Sequence, residues 1–417
     1  MLVVLITETS VKGSMMSKVF VSRQPIFDKR MNLYGYELFY QGCMSGKEEN
    51  SDQASAKLLD DILYEEFDDL IDRKRGFIRF SEKLILAQIP LIFPKDKLIV
   101  QIENASVTAG QQTISVCKKL KDMGYMLALC IFEPEEYESS LLLPCADIIK
   151  VVYSRDTIRQ QKQLIKNCRQ RVMLVAENLE CPKDFQNAVS MGYHLFQGCF
   201  FSEPVMTNAQ AIGSLSNILV LAVNELYKPE PDYRYIEELF ESDVEMSYKL
   251  LRLANSAFYG TRYVITSIRQ ALVHIGTQKL IRWSHLMLIR GIANAKNAEL
   301  VKTSLIRGKL LALLCDRTQR AEQKSDLFIT GIFSSIDVLL GENIGTIMDR
   351  LPISKKVKDA LLGQDNELKN WLDAIIDFEK KNWRGLESFL MSYDIRREEF
   401  MTMYMQALKW CMETNRY

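Results

Sequence analysis

The sequence lacks most features that attract nucleic acid, a membrane or a structural metal. Lys and Arg total 53 and Asp and Glu also total 53, so no net charge draws in a polyanion or an anionic lipid surface. The apolar run MLVVLI is far shorter than the roughly 20 residues that span a bilayer. The nine cysteines form no CxxC pair, and the three histidines lack helical ligand spacing. We therefore expect a cytoplasmic protein with free thiols that uses no cofactor, no membrane and no nucleic acid.

Two different periodicities divide the chain. Eight β-rich runs, separated mostly by longer stretches, cover residues 19–27, 33–40, 76–81, 97–103, 126–132, 147–153, 172–178 and 195–201. Several runs are almost continuously apolar, which is typical of parallel strands covered on both faces. The stretches 54–67, 110–123 and 182–191 are long enough for crossover helices. This order predicts a (β/α) barrel or a doubly wound sheet.

The strand pattern stops after Pro204, and apolar residues such as Leu215, Leu219 and Leu226 then follow helical spacing. We place a domain boundary at residues 204–208, where polar and turn-forming residues separate the two patterns. The prediction is a loosely held tail at residues 1–17, an α/β domain at 18–205 and an all-helical domain at 206–417.

Functional side chains of a parallel barrel project from the C-terminal ends of its strands. The residues predicted there are Glu37, Arg79, Gln101, Cys130, Ile131, Lys150, Glu177 and Gln197. Mg²⁺ prefers hard oxygen ligands, and this set offers only two carboxylates beside two cations. The residues themselves therefore indicate a poor metal site.

Seven stretches in the first half match one family in consecutive order. They are YGYELFYQ, GFIRFS, LIVQIEN, LALCIFEP, DIIKVVY, LVAENLE and YHLFQGCFFSEP. On these motifs, residues 18–205 resemble an EAL domain, the (β/α)8 barrel that hydrolyses the bacterial second messenger cyclic di-GMP. The resemblance implies two divalent cations held by Glu, Asn, Glu and two Asp. Those five positions are occupied here by Glu37, Arg79, Gln101, Cys130 and Ile131.

Only one of the implied metal ligands is therefore retained. Lys150, Glu177 and Gln197 match residues that support substrate or water in active members, and Gln41 stands where an arginine would bind phosphate. Arg79 adds a positive charge where the metal would bind, at a cost of about 4 kcal/mol per like-charge pair at 4 Å and an effective dielectric near 20. The resemblance thus implies a site that neither binds metal nor hydrolyses the nucleotide.

Two residues of this site keep alternatives open. Arg79 either replaces the metal by pairing with Glu37 inside the barrel mouth or points into solvent. Cys130 either is a redox-sensitive thiol, with a pKa lowered by Lys150 or Arg79, or fills the space left by an aspartate as a small apolar side chain.

The second half contains SYKLLRLANSAFYG at 247–260, SIRQALVHIG at 267–276 and TGIFSSIDVLLG at 330–341. On these motifs, residues 207–400 resemble an HDOD domain, a helical relative of the HD metal-dependent phosphohydrolases. Hydrolases of the HD type carry consecutive His and Asp ligands where this chain has Ser334 and Ser335. The resemblance therefore implies that this second site also lacks a metal and hydrolytic activity.

Together the two resemblances imply an EAL–HDOD bacterial signal transduction protein that is not an enzyme. The expected partners are other signalling proteins, such as a kinase, a diguanylate cyclase or a regulator of motility or biofilm, docking on the HDOD domain. Association with a second copy is compatible with this role. A cyclic di-GMP receptor that binds without cleaving is the alternative, and an active phosphodiesterase ranks last.

Overall fold

The computed structural model describes residues 20–41, 67–102, 110–131, 141–168, 172–202, 217–242, 244–256, 265–291, 297–351 and 353–414. Its first half is a closed eight-stranded barrel with strands in sequence order. The strands are β1 (Phe20–Asp28), β2 (Leu33–Gln41), β3 (Arg75–Phe80), β4 (Leu98–Ile102), β5 (Met126–Ile131), β6 (Ile148–Val152), β7 (Met173–Leu179) and β8 (Leu195–Gly198). Each lies within a few residues of its predicted run, which confirms the barrel.

The first strand departs from the parallel arrangement. β1 pairs antiparallel with both β2 and β8, whereas the remaining neighbours are parallel. The connection from β1 to β2 is a short turn in which Asp28 Oδ1 accepts the backbone N–H groups of Arg30 at 2.7 Å and Asn32 at 2.9 Å. A connection this short fits only a hairpin, so sequence spacing could have revealed the reversed strand.

The helices outside the barrel are α1 (Glu82–Leu86), α2 (Gln111–Asp122), α3 (Ile158–Cys168) and α4 (Pro182–Met191). α2 and α4 match the predicted stretches 110–123 and 182–191, whereas α1 and α3 fall in segments for which no helix is predicted. α4 begins with a proline in its first turn and ends at Gly192, whose φ of 104° closes the helix in the left-handed region. The predicted helix 54–67 lies outside the described residues except for Phe67, which is helical.

The barrel interior is built in layers. A lower, apolar layer contains one side chain from each of seven strands: Ile26, Phe77, Ile99, Ala128, Ile148, Val175 and Leu195. Side chains alternate along a strand, so the residues two positions further on face the same interior. On the parallel strands β3 to β8 those residues are Arg79, Gln101, Cys130, Lys150, Glu177 and Gln197. The polar site therefore rests directly on an apolar floor.

The second half is entirely helical where it is described. Its helices are α5 (Asn217–Leu226), α6 (Tyr233–Glu241), α7 (Val244–Ala254), α8 (Ile268–Ile275), α9 (Thr277–Gly291), α10 (Ala298–Arg317), α11 (Lys324–Phe333), α12 (Ile336–Leu340), α13 (Ile344–Arg350), α14 (Lys355–Leu361), α15 (Glu367–Glu379), α16 (Trp383–Ser392) and α17 (Arg397–Thr414). None of the helices in the described part of the chain combines the length and apolar character that crossing a bilayer needs. The predicted boundary at 204–208 and the tail at 1–17 lie outside the described residues.

Two glycines let α10 and α11 approach closely. A Cβ atom added to Gly331 would lie 2.4 Å from the backbone nitrogen of Gly308, and one added to Gly308 would lie 2.8 Å from the carbonyl oxygen of Phe328. Any larger residue at either position would push the helices apart. The close crossing brings Arg307, on α10, within reach of the residues that follow α11.

The helical region packs directly on β1 and β2. The ring of Phe20 stacks on Trp383, with centroids 5.4 Å apart and an interplanar angle of 2°. The hydroxyl of Tyr36 donates to Glu299 Oε1 at 2.7 Å, and Lys302 Nζ lies 2.5 Å from Asp72 Oδ2. Buried aromatic and charged contacts thus join the two halves.

Candidate functional site

Lys150 is the centre of the polar layer in the barrel. Its Nζ atom lies 2.6 Å from Glu37 Oε2, 2.5 Å from Glu177 Oε1 and 3.0 Å from Gln101 Oε1. An ammonium group has three hydrogens to donate, so these three acceptors satisfy it completely. The side chains of Lys150 and Glu37 are almost inaccessible to solvent. The result is a buried, fully hydrogen-bonded ionic cluster.

Glu37 receives further donors from two other strands. Gln197 Nε2 donates to Glu37 Oε2 at 2.6 Å and to Gln24 Oε1 at 3.0 Å. Arg79 Nη2 lies 3.4 Å from Glu37 Oε1, and its side chain is 30% exposed. The predicted pairing of Arg79 with Glu37 is therefore confirmed, although Lys150 is the closer cation.

Cys130 is a buried thiol beside this cluster. Gln101 Nε2 donates to its Sγ atom at 2.9 Å. Burial raises the pKa of Cys130 to about 12, and the neighbouring Lys150 does not offset this effect. The alternative of a redox-sensitive thiol with a lowered pKa is therefore wrong, because the reactive thiolate is disfavoured.

Opposite charges set the protonation states of the central pair. Burial acts to raise the pKa of Glu37, but Lys150 and Arg79 outweigh it and hold that pKa below its ordinary value. Burial likewise acts to lower the pKa of Lys150, whereas Glu177 and Glu37 raise it above its ordinary value. Both groups are consequently charged at neutral pH.

The donor set does not fit a pair of divalent cations. Glu37 and Glu177 are bridged by the ammonium of Lys150, so its positive charge lies where a metal shared by these carboxylates would be. Gln101 contributes a neutral amide and Arg79 a further cation. Among the residues that the structure describes, no group of three or more His, Cys, Asp and Glu side chains is arranged to hold a metal. Ile131 belongs to β5, and its side chain lies outside the described set.

The serine pair in the helical region has an analogous internal cation. Arg307 Nη1 donates to Ser334 Oγ at 2.9 Å and to Ser335 Oγ at 3.0 Å. The same guanidinium forms a two-pronged pair with Glu379, at 2.8 Å and 2.5 Å. Ser334 and Ser335, where the family resemblance implies a lost His-Asp pair, thus accept hydrogen bonds from a buried arginine.

The structure brings all the predicted barrel residues with described side chains into one layer. Sequence reasoning missed four residues that contact the candidate sites. Gln24 and Lys381 lie at the barrel, and Arg307 and Glu379 lie beside the serine pair. Gln24 could have been predicted, because it lies two residues before Ile26 on β1 and its side chain therefore faces the same interior. Lys381 comes from the helical region, and nothing in its local sequence links it to the barrel.

Relatives along nearly the whole chain show its family. The HDOD domain family matches residues 212–343. The uncharacterized protein YuxH of Bacillus subtilis (strain 168) is 33% identical over 409 residues, which cover 94% of this chain and 98% of that protein. The cyclic di-GMP phosphodiesterase CdgJ of Vibrio cholerae is 29% identical over 410 residues, covering 96% and 94%. The chain belongs to the EAL–HDOD family of bacterial signal transduction proteins, as its motifs predicted.

Solved structures of EAL proteins are also similar to part of the chain. The EAL domain protein from Listeria monocytogenes EGD-e has 16% identity and a TM-score of 0.38, covering 45% of this chain and 89% of that chain. BlrP1 of Klebsiella pneumoniae, solved as a manganese and cyclic di-GMP complex, has 18% identity and a TM-score of 0.36, covering 44% and 55%.

Proposed function

We propose that this chain is a catalytically inactive regulator in cyclic di-GMP-related signalling that acts by binding other signalling proteins. The observation that carries the proposal is the bridging of Glu37 and Glu177 by Lys150. Phosphodiester hydrolysis of the metal-dependent kind needs cations that polarise the phosphate and lower the pKa of water. In this barrel the two carboxylates already neutralise an internal ammonium group.

The name of CdgJ, a cyclic di-GMP phosphodiesterase, supports the competing hypothesis that this chain is an active phosphodiesterase. The experiment that separates the two is incubation of cyclic di-GMP with the purified full-length chain and excess Mg²⁺ or Mn²⁺, followed by chromatography of the nucleotide. We expect no linear dinucleotide. Its formation at a rate proportional to protein concentration, and its loss in Glu37→Gln, would show that the chain is an enzyme.

A restored barrel provides the matched control. Arg79→Asn, Gln101→Glu, Cys130→Asp and Ile131→Asp together reinstate the oxygen ligands that the family resemblance implies. Two of the new carboxylates, at positions 101 and 130, would compete with Glu37 for Lys150. We expect Mn²⁺ to give binding heat with this variant and none with the natural chain. Equal binding by both would contradict the proposal.

A non-hydrolysing receptor is the second candidate, and charge is the observation in its favour. The mouth carries the cations Lys150, Arg79 and Lys381 against the carboxylates Glu37 and Glu177, an excess that suits an anionic ligand. Calorimetric titration of cyclic di-GMP tests it. Binding heat that is lost in Arg79→Ala supports a receptor, whereas silence leaves protein binding as the function.

Exposed apolar side chains in the HDOD domain support a docking surface for proteins. Tyr248 on α7 is 62% exposed and Val273 on the adjoining α8 is 72% exposed. A partner that is captured on the immobilised chain, identified and purified should lose binding when Tyr248→Ser and Val273→Ser are combined. Leu141→Ser on the barrel, a residue of similar exposure, is the matched control and should bind normally. The reverse result would assign the partner to the barrel.

A further inference from the structure

Lys381 of the helical region lies at the mouth of the barrel. Its Nζ atom is 3.2 Å from the centroid of the Phe39 ring. Phe39 follows Glu37 by two residues on β2, so both side chains face the same way, with Phe39 nearer the C-terminal end of the strand. The charges of Glu37, Glu177, Lys150 and Arg79 all act on Lys381. A residue far along the chain thus contributes to the barrel site.

The backbone at Lys381 has a conformation that glycine usually adopts. Lys381 has a φ of 64°, and it follows the last turn of α15. The N–H of Lys381 donates to Phe378 O at 3.2 Å, and that of Asn382 donates to Asp377 O at 2.8 Å. These are the two bonds of a Schellman helix end, whose left-handed residue is usually glycine. Lys381 occupies this position in place of glycine, and its side chain contacts the Phe39 ring.

The residues before and after Lys381 make contacts that fix the position of this segment of the helical region. Glu379, two residues before it, is clamped by Arg307, which also holds Ser334 and Ser335. Trp383, two residues after it, stacks on Phe20 of β1. We call residues 379–383 the mouth corner. Through Arg307 it is linked to Ser334 and Ser335, and through Trp383 it packs on the barrel strand β1.

We propose that the mouth corner closes the barrel, so that any ligand or partner that approaches Glu37 from the mouth must first displace Lys381. A ligand or partner can then enter the barrel mouth only when the mouth corner has moved away from it. This couples the barrel to the helical region through a local, reversible contact. The inference is independent of the proposed function, because it concerns access to the site and not the chemistry within it.

A thiol reporter inside the barrel tests the closure. Ser22 is 2% exposed and pairs in register with Phe39, and its hydroxyl has no hydrogen-bond partner in the described part of the chain. Ser22→Cys should therefore fold normally. The labelling rate of the introduced thiol by N-ethylmaleimide is followed by peptide mass spectrometry in the full-length chain. Adding Lys381→Gly should raise this rate about tenfold or more, because labelling reports the equilibrium of local opening.

Glycine at position 381 suits the left-handed backbone, so this variant removes the side chain without disrupting the helix end. Lys380→Ala, at the neighbouring exposed lysine, is the matched control and should leave the labelling rate unchanged. Equal rates with and without Lys381→Gly would overturn the proposal. The proposal would also be overturned if the thiol of the folded Ser22→Cys chain were labelled as fast as that of the chain unfolded in urea.

Cross-linking provides a second measurement if Ser22→Cys does not fold. A short bis-maleimide should join Phe39→Cys to Lys381→Cys within one chain, as detected by the linked peptide. The pair Phe39→Cys with Lys380→Cys should give little of this product. Equal yields from the two pairs would contradict the placement of Lys381 over Phe39.

Discussion

The Nζ atom of Lys150 lies 2.6 Å from Oε2 of Glu37, with both side chains shielded from solvent. The two residues belong to β6 and β2, which stand on opposite sides of the eight-stranded barrel. The pair is therefore an ionic link across the interior. Replacing both members of a buried ion pair by apolar residues often changes the stability of the fold little. Removing only one member leaves an uncompensated buried charge, which destabilises the fold.

Removal of the ammonium should consequently be costly. We expect Lys150→Met to lower the free energy of unfolding by about 3–5 kcal/mol, because Glu37 and Glu177 lose their shared cation. Urea denaturation of the full-length chain measures this change. The double variant Lys150→Met with Glu37→Gln should recover a large part of the loss, since it removes the charge that was left alone. Strict additivity of the two changes would contradict a direct ionic link.

Arg79 should matter less than Lys150. It is the more distant cation from Glu37, at 3.4 Å, and its side chain is 30% exposed. We expect Arg79→Ala to cost about 0.5–1 kcal/mol of unfolding free energy, the range of partly solvated ion pairs. Thermal unfolding of both single variants gives the ranking. A larger loss for Arg79→Ala than for Lys150→Met would show that Arg79 holds the barrel together.

The pH dependence of stability should report Glu37. The pKa of Glu37 is held below its ordinary value of 4.5, so the unfolded chain binds a proton more readily than the folded chain does. The stabilisation that this carboxylate provides is fully present above its unfolded pKa and is lost as the pH falls through its folded pKa. Denaturation curves from neutral to acid pH should therefore show a shallower loss in Glu37→Gln than in the natural chain. Parallel curves would contradict this assignment.

The positions of the barrel residues could be predicted because each strand is recognisable from its own local sequence. The parallel strands β3 to β8 are short and mostly apolar. Their order and side-chain alternation place Arg79, Gln101 and Lys150 in one layer. Local pattern also identified the helical half. Such information is contained within a few consecutive residues, and burial on both faces makes it strong.

The partners of these residues could not be predicted in the same way. Lys150 matched a residue that supports substrate or water, and only the distances show that it bridges two carboxylates. Arg307 is separated by 72 residues from Glu379, and their pairing depends on how α10 and α15 pack. Lys381 reaches Phe39 across the contact between the two halves. Such contacts are set by tertiary packing, which side-chain periodicity does not encode.

The ion pair between Arg307 and Glu379 should depend on the shape of the guanidinium group. Arg307 donates to both carboxylate oxygens of Glu379 and to the hydroxyls of Ser334 and Ser335, which requires the planar fork of a guanidinium. Arg307→Lys preserves the charge but cannot make all of these bonds. We expect it to cost about 1–3 kcal/mol of unfolding free energy, because buried acceptors lose charged donors.

Arg317→Lys is the matched control, since Arg317 ends the same helix and pairs with Glu399 at 3.3 Å with a side chain that is 41% exposed. This change should cost less than about 0.5 kcal/mol, as for other exposed pairs. Because Glu379 anchors the mouth corner, Arg307→Lys should also accelerate labelling of the Ser22→Cys thiol, while Arg317→Lys should not. A loss of stability in Arg307→Lys without faster labelling would mean that Arg307 supports only the helical region, and that the barrel mouth is held by Trp383 and Phe20.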